Sequence, residues 1–192
     1  MHRNVLIIMA LFFLGCSDNY RLTENDLRWN PYRGGEVLVF HSNNGDTDTI
    51  NVQTIETAYV DSDPLDAFPN HQEILDVIVK HSTPFESEQK MEESFLLLEA
   101  GDKNTLIDFN LMAKNSWFYG ESYYIDDLNK LAETELVTKK YIYKDVVIIE
   151  PQEDIKKEYL EERDEFITKI YWSKSKGYIR YDLKNGVYWE LQ

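Results

Sequence analysis

Cys16 is the residue whose type and position most clearly indicate a chemical reaction. It is the only cysteine among the 192 residues of the chain. It follows a basic start at Arg3 and an unbroken apolar run over residues 5–14, and Gly15 immediately precedes it. A charged start, an apolar stretch and a small residue at the cut are typical of a secretory signal peptide. We therefore predict export, with a cut that leaves the thiol of Cys16 at the new N-terminus.

The segment Phe13-Leu14-Gly15-Cys16 resembles the lipobox of bacterial lipoproteins. The resemblance implies that Cys16 carries a diacylglycerol and fatty acyl chains such as palmitate, which anchor the mature protein to a membrane. The apolar run stops well short of the ~20 residues that a membrane-spanning helix needs. A plain secretory peptide with an incidental cysteine is the simpler alternative.

The other groups that could do chemistry fall into no recognised pattern. His41, His71 and His81 lack the spacing of a zinc site. Asp46, Asp48 and the acids within 61–66 could bind calcium, but they do not match the twelve-residue calcium loop, so we expect solvated turn acids. The sequence contains no nucleophile elbow, phosphate loop or dinucleotide fingerprint. We predict no catalytic residue, no metal site and no cofactor, and we keep a hydrolase with scattered carboxylates as the least favoured alternative.

Composition predicts a folded, acidic domain. The chain is 43% hydrophobic and 14% aromatic, with a formal net charge of −15, and its length suits one domain with a proper core. The negative charge argues against a nucleic-acid partner, since such partners require lysines and arginines to neutralise phosphates. It also indicates that the acyl chains, not the net charge, provide membrane attachment.

Three segments are predicted along the chain. Residues 1–15 form the lipoprotein signal peptide, and residues 16–34 form a lipidated tether with few apolar residues, ended by Trp29 and Tyr32 packing onto the first strand. Residues 35–192 form a single β-rich domain. A flexible tether of that length would hold the domain roughly 20 Å from the bilayer.

Alternating apolar residues and tight turns predict the fold class. We expect a mainly β protein, an antiparallel meander forming a sandwich or a curved half-barrel sheet, with at most one or two short helices. Asn44-Gly45 and Asn185-Gly186 are the clearest hairpin turns. Strands are predicted at 36–42, 47–57, 74–81, 95–98, 107–111, 141–150, 166–173, 178–183 and 187–191. Loops are predicted at 61–66 and 84–93, a short helix at 152–165, and residues 115–138 remain open between strand and helix.

An aromatic row on the last three strands is the most suggestive candidate for binding. Simple alternation places Tyr171, Tyr178 and Tyr188 on one face, beside Lys169, Arg180 and Glu190. The opposite face then carries Ile170, Trp172, Ile179, Tyr181, Val187, Trp189 and Leu191. Flat tyrosine rings with charged neighbours can stack on a sugar or dock a partner protein. The simpler alternative is that tyrosines pair across strands and merely cover the sheet.

Both ends of the chain resemble uncharacterised exported lipoproteins of Bacteroidota. The likeness lies in the lipobox, in Gly34-Gly35-Glu36-Val37-Leu38-Val39-Phe40 before Asp46-Thr47-Asp48-Thr49-Ile50, and in the C-terminal segments Tyr171-Trp172-Ser173-Lys174, Gly177-Tyr178-Ile179-Arg180-Tyr181-Asp182 and Trp189-Glu190-Leu191. It implies an exported β-rich domain anchored to the cell envelope, at the outer membrane, and it carries no assigned chemistry. Ser17-Asp18-Asn19 has a single acid, so the periplasmic and surface sides both stay open.

These observations favour a membrane-anchored, non-catalytic lipoprotein whose β domain binds a partner protein or a glycan of the envelope. The alternative is a carrier of lipid or another apolar ligand, because residues 95–98 and 141–149 are apolar on both faces, as the wall of an enclosed pocket would be.

Overall fold

The computed structural model describes residues 18–61, 70–82, 92–113, 116–118, 122–152 and 166–192. Within these ranges there are fourteen strands and two short helices. The first part contains β1 (Asn19–Tyr20), α1 (Glu24–Leu27), β2 (Val37–Ser42), β3 (Thr47–Asp61), β4 (His71–His81) and β5 (Glu93–Glu99). The middle contains β6 (Leu106–Phe109), β7 (Met112–Ala113), β8 (Ser116–Trp117), β9 (Tyr123–Tyr124), α2 (Ile125–Leu128) and β10 (Thr134–Val137). The last strands are β11 (Ile142–Ile149), β12 (Ile167–Ser173), β13 (Gly177–Leu183) and β14 (Tyr188–Leu191).

One long antiparallel sheet dominates the molecule. Its strand order is β10-β11-β12-β13-β14-β2-β3-β4-β5-β6-β9, while β1 pairs in parallel with β4, and β7 pairs separately with β8. The sheet curls into a half-barrel, so the predicted fold class is confirmed. The described residues of segment 115–138, which the sequence left open between strand and helix, form three short strands and α2. The predicted helix, apart from its first residue, and most of the two predicted loops lie outside the described residues.

Local sequence explains why these strands form and where they turn. Leu75, Val77 and Val79 alternate along β4 and are all buried, as the period of two predicts. Gly45 and Gly186 have φ angles of 92° and 84°. These left-handed conformations are what tight hairpin turns require, so both predicted Asn-Gly turns are confirmed.

An aromatic core fills the concave side of the curled sheet. The rings of Phe95 and Tyr178 lie 4.6 Å apart, and those of Phe109 and Trp172 lie 5.0 Å apart in an edge-on arrangement. Phe95 and Phe109 belong to β5 and β6, far from β12 and β13 in the strand order. Such contacts require the two halves of the sheet to fold towards each other, and they stabilise that curl.

The prediction of a flexible tether is wrong for residues 18–28, which contain β1 and α1, whereas the predicted packing of Trp29 and Tyr32 at its end is confirmed. β1 extends the sheet beside the first residues of β4, and Thr23 and Asp26 form a capping box at the start of α1. Trp29 is 1% exposed and Tyr32 is 5% exposed, so both rings belong to the core. The segment has few apolar residues, but these two large rings bury enough surface to order it.

Tyr32 closes one end of the core by contacting β13 directly. Its hydroxyl accepts a hydrogen bond of 2.9 Å from the backbone N–H of Tyr178. Gly177, with a φ of 78°, makes room for that hydroxyl, and a Cβ at this position would overlap it.

Strand directions define two ends of the half-barrel. The β2–β3 and β13–β14 turns lie at one end, which we call the distal end. The opposite end carries the β12–β13 turn, the β10–β11 turn and the beginning of β4, where β1 pairs. We call it the proximal end, because Asp18, two residues after Cys16, lies there.

Candidate functional site

The predicted tyrosine row is only partly formed. Tyr171 and Tyr188 lie half-buried on the outer face, as expected, but Tyr178 is fully buried. The pairing of β12 with β13 shifts register between Tyr171 and Trp172, so that Trp172 lies opposite Tyr178. A register irregularity of this kind changes which side chains face inward. The placement of Tyr178 on the outer face is therefore wrong.

Tyr178 is instead a structural residue of the core. Its hydroxyl donates a hydrogen bond of 3.0 Å to the backbone carbonyl of Phe95. Burial raises the pKa of Tyr178 well above its usual value, with a smaller contribution from the neighbouring Tyr32. The residue therefore stays neutral and links the two halves of the sheet.

On the outer face, Arg180 lies between the two remaining tyrosines. Its guanidinium carbon is 4.0 Å from the ring centre of Tyr188 and 5.2 Å from that of Tyr171. Its Nε donates to Asp182 at 2.6 Å, and Nη1 lies 3.5 Å from Glu190. The polar groups of this cluster already pair with one another, as cross-strand neighbours that cover a sheet do.

The three histidines lie apart, and only one is buried with ionisable partners. His81 Nδ1 lies 2.9 Å from Asp48 and Nε2 lies 3.0 Å from Glu93. Burial lowers the pKa of His81, but the two carboxylates more than offset it and raise the pKa to about 9. His81 is therefore a cation at neutral pH, held inside the protein with both ring nitrogens engaged.

Two of the acids weighed as calcium ligands, Asp48 and Asp61, lie at opposite ends of β3. Asp48 is buried beside His81, while Asp61 contacts the half-exposed His71 at 2.7 Å at the other end of β3. Across the described ranges, no group of three or more His, Cys, Asp or Glu side chains could hold a metal ion.

A polar cleft of about 690 Å³ opens at the proximal end, and sequence analysis did not foresee it. Its walls come from the N-terminal segment with α1, from the β5–β6 turn, from α2 and from the β12–β13 turn. The lining residues are Asn19, Tyr20, Arg21, Thr23, Asn25, Asp26, Arg28, Trp29, Gly101, Asp102, Lys103, Asn104, Thr105, Ile125, Asp126, Asn129 and Lys174.

Trp29 and Lys174 join two walls of this cleft. The Lys174 ammonium lies 5.1 Å from the Trp29 ring centre and donates to the Asn129 side chain at 3.3 Å. A cation over an indole face is an attractive contact. Since Trp29 also belongs to the core, this part of the cleft is firmly built.

The cleft offers unpaired hydrogen-bonding groups of several kinds. The side chains of Asn25, Arg28, Lys103 and Asn104 line it and form no hydrogen bond or ion pair with another described residue. The lining contains four cations and three carboxylates, although the whole chain is strongly acidic. A site with mixed donors and acceptors fits a ligand rich in hydroxyl groups better than a simple ion.

A second depression of about 850 Å³ lies on the outside of β6 and β9. It is lined by Leu106, Asp108, Asn110, Ser122, Tyr123, Tyr124, Asp127 and Gln152. None of these described lining residues is an arginine or a lysine, and they come from fewer elements than the lining of the proximal cleft.

The sequence did not predict the proximal cleft, because its residues are remote in the chain and eight of the seventeen lie in the predicted tether. The only usable signal was the pair of large aromatics, Trp29 and Tyr32, in that otherwise polar segment.

Neither a scan against protein-family models nor searches of curated proteins and of solved structures found a match to this chain. Among the described residues, no helix has the length and apolar character needed to cross a membrane.

Proposed function

We propose that this protein is an envelope lipoprotein, anchored through acylated Cys16, whose non-catalytic β domain binds a glycan in the proximal cleft. The lipobox supports the anchor. The cleft supports the binding role, and its polar lining at a volume of about 690 Å³ is the observation that carries the proposal. Ligand sites typically enclose ~300–1,000 Å³.

The character of the cleft favours a glycan over a flat protein surface. It is concave and presents amide, guanidinium and ammonium donors together with carboxylate acceptors from separate elements. Sugars offer hydroxyl groups that both donate and accept hydrogen bonds, and such sites hold them by fixed polar groups. The half-buried ring of Tyr20 adds an apolar surface at the rim.

The alternatives have less support. For a lipid carrier, the concave side of the described sheet offers little room, because fully buried aromatic side chains such as Phe40, Trp172 and Tyr181 fill it. For a partner protein, the outer face offers Tyr171 and Tyr188, but the Arg180 group between them is already paired with Asp182 and Glu190.

The cleft is tested with paired variants of the full chain in detergent. We expect Arg28→Ala combined with Asn104→Ala to weaken glycan binding at least about tenfold, because each substitution removes a hydrogen-bonding group from the bound state. The matched control is Arg33→Ala with Asn44→Ala, which removes the same side-chain types from exposed positions outside the cleft.

The measurement is a screen on arrayed envelope glycans followed by titration calorimetry with the best binder. Equal affinities of the cleft pair and the control pair would contradict the proposal, and so would a screen in which no glycan binds the folded chain.

A further inference from the structure

The β10–β11 hairpin projects beyond the sheet at the proximal end. Val146 of β11 pairs with Ser173, the last residue of β12, so residues 142–145 extend past their neighbour strand. Thr138 fixes the turn, since its N–H and hydroxyl both donate to the Tyr141 carbonyl, at 2.9 and 3.0 Å. The projecting tip therefore has a defined shape.

This hairpin tip is apolar on both of its faces. Val137 and Ile142 are cross-strand partners and are 63% and 60% exposed. Tyr141, 48% exposed, packs against Tyr143 with ring centres 6.1 Å apart. None of these four side chains belongs to the core of the described residues. Exposed apolar side chains grouped in this way indicate a contact surface.

The charge of the tip is opposite to that of the whole molecule. Lys139, Lys140 and Lys144 are exposed and make no ion pair with another described residue, and residues 136–144 contain no acid. The chain as a whole carries a net charge of −15. A local group of lysines beside exposed apolar and aromatic side chains is the composition of segments that enter the interface of a membrane with anionic lipids.

The N-terminal segment indicates which surface the tip meets. The chain before Asp18 contains Cys16 and leaves the domain at the proximal end, where the β10–β11 turn also projects. Only Ser17 separates Cys16 from the folded part, since the segment from Asp18 onward packs on the sheet. A bilayer that holds the acyl chains of Cys16 would therefore lie next to this end.

We propose that the β10–β11 tip inserts into the surface of the lipid bilayer that holds the anchor, as a second membrane contact that fixes the orientation of the domain. The inference rests on the anchoring part of the proposed function. Val137, Tyr141 and Ile142 enter the boundary between headgroups and acyl chains, while the three lysines contact anionic headgroups. The proximal cleft then faces ligands close to the membrane surface.

The test uses the full acylated chain in vesicles of phosphatidylcholine and phosphatidylglycerol. Because acylation consumes the only native thiol, Tyr141→Cys provides one site for a fluorescent label. Asn44→Cys, exposed at the distal end, is the matched control. We expect bilayer-embedded brominated lipids to quench the label at 141 and not the label at 44. Equal quenching at the two positions would overturn the proposal.

Further variants test whether the exposed apolar side chains of the tip cause the quenching. Adding Val137→Asp and Ile142→Asp to the labelled chain should abolish most of the quenching, whereas Ile148→Asp, exposed on the same strand away from the tip, should preserve it. Preserved quenching in the double variant would count against insertion. Circular dichroism checks that each variant is folded.

Flotation of the vesicles tests membrane attachment through Cys16 separately from the hairpin contact. A chain that floats with an unquenched label at 141 would retain the anchor and overturn the hairpin contact. A chain that does not float would contradict the anchoring, and the hairpin contact with it. A third outcome is the formation of concentration-dependent dimers with no quenching by lipid. If the double aspartate variant abolished these dimers, the tip would be an interface with a second copy of the chain, and the membrane contact would be contradicted.

Discussion

The environment of His81 shows how one buried cation can stabilise an acidic domain. The imidazole lies between Asp48 of β3 and Glu93 of β5, so three neighbouring strands share its charge. Tyr181 is also close to Asp48, whose charge adds to the effect of burial in raising the pKa of Tyr181 well above its usual value. Around neutral pH, only the imidazole in this group carries a positive charge to balance the carboxylates.

This arrangement predicts that the protein loses stability in mildly alkaline solution. The pKa of His81 is about 9 in the folded protein and ~6.5 in an unfolded chain. The protonated form therefore contributes fully below about pH 6.5, and its contribution is lost as the pH rises through 9. The difference corresponds to about 3 kcal/mol of unfolding free energy.

Urea unfolding between pH 6.5 and pH 9.5 measures this loss. His81→Gln should remove most of the pH dependence in this window, while His71→Gln, a half-exposed histidine, should keep it. A wild-type stability that stays constant over this window would contradict the assigned protonation state.

At the level of elements, the N-terminal segment is an integral part of the domain. The rings of Trp29 and Tyr32 belong to the core, and β1, α1 and Trp29 form a wall of the cleft. The segment that would connect to the proposed anchor is thus also a segment that builds the cleft.

Trp29→Ala is expected to destabilise the domain by about 3–5 kcal/mol, the usual effect of removing a large buried aromatic side chain. Leu27→Ala, two residues earlier and 42% exposed, is the control and should cost less than about 1 kcal/mol. Chemical denaturation of both variants compares them. If the midpoint of urea unfolding of Trp29→Ala equals that of the wild-type protein, the N-terminal segment is a flexible tether and the account of its packing is contradicted.

For the whole molecule, local patterns predicted the strands better than their arrangement. Alternation at Leu75, Val77 and Val79 and the two Asn-Gly turns were enough to predict β4, the β2–β3 and β13–β14 hairpins and the fold class. The register shift beside Trp172 could not be read from the sequence, because a bulge depends on the partner strand. The cleft could not be predicted either, since it joins Trp29, Asn104 and Lys174 only after the sheet has curled.

The proposed placement of the whole molecule at a membrane depends on acylation of Cys16, and the intact mass of protein extracted from membranes tests this proposal most directly. We predict a mature chain that begins at Cys16 and carries the added mass of a diacylglycerol and fatty acyl groups. Incorporation of labelled palmitate should be lost in Cys16→Ser. A chain that retains residues 1–15, or that has a free thiol at Cys16 in the soluble fraction, would contradict the account.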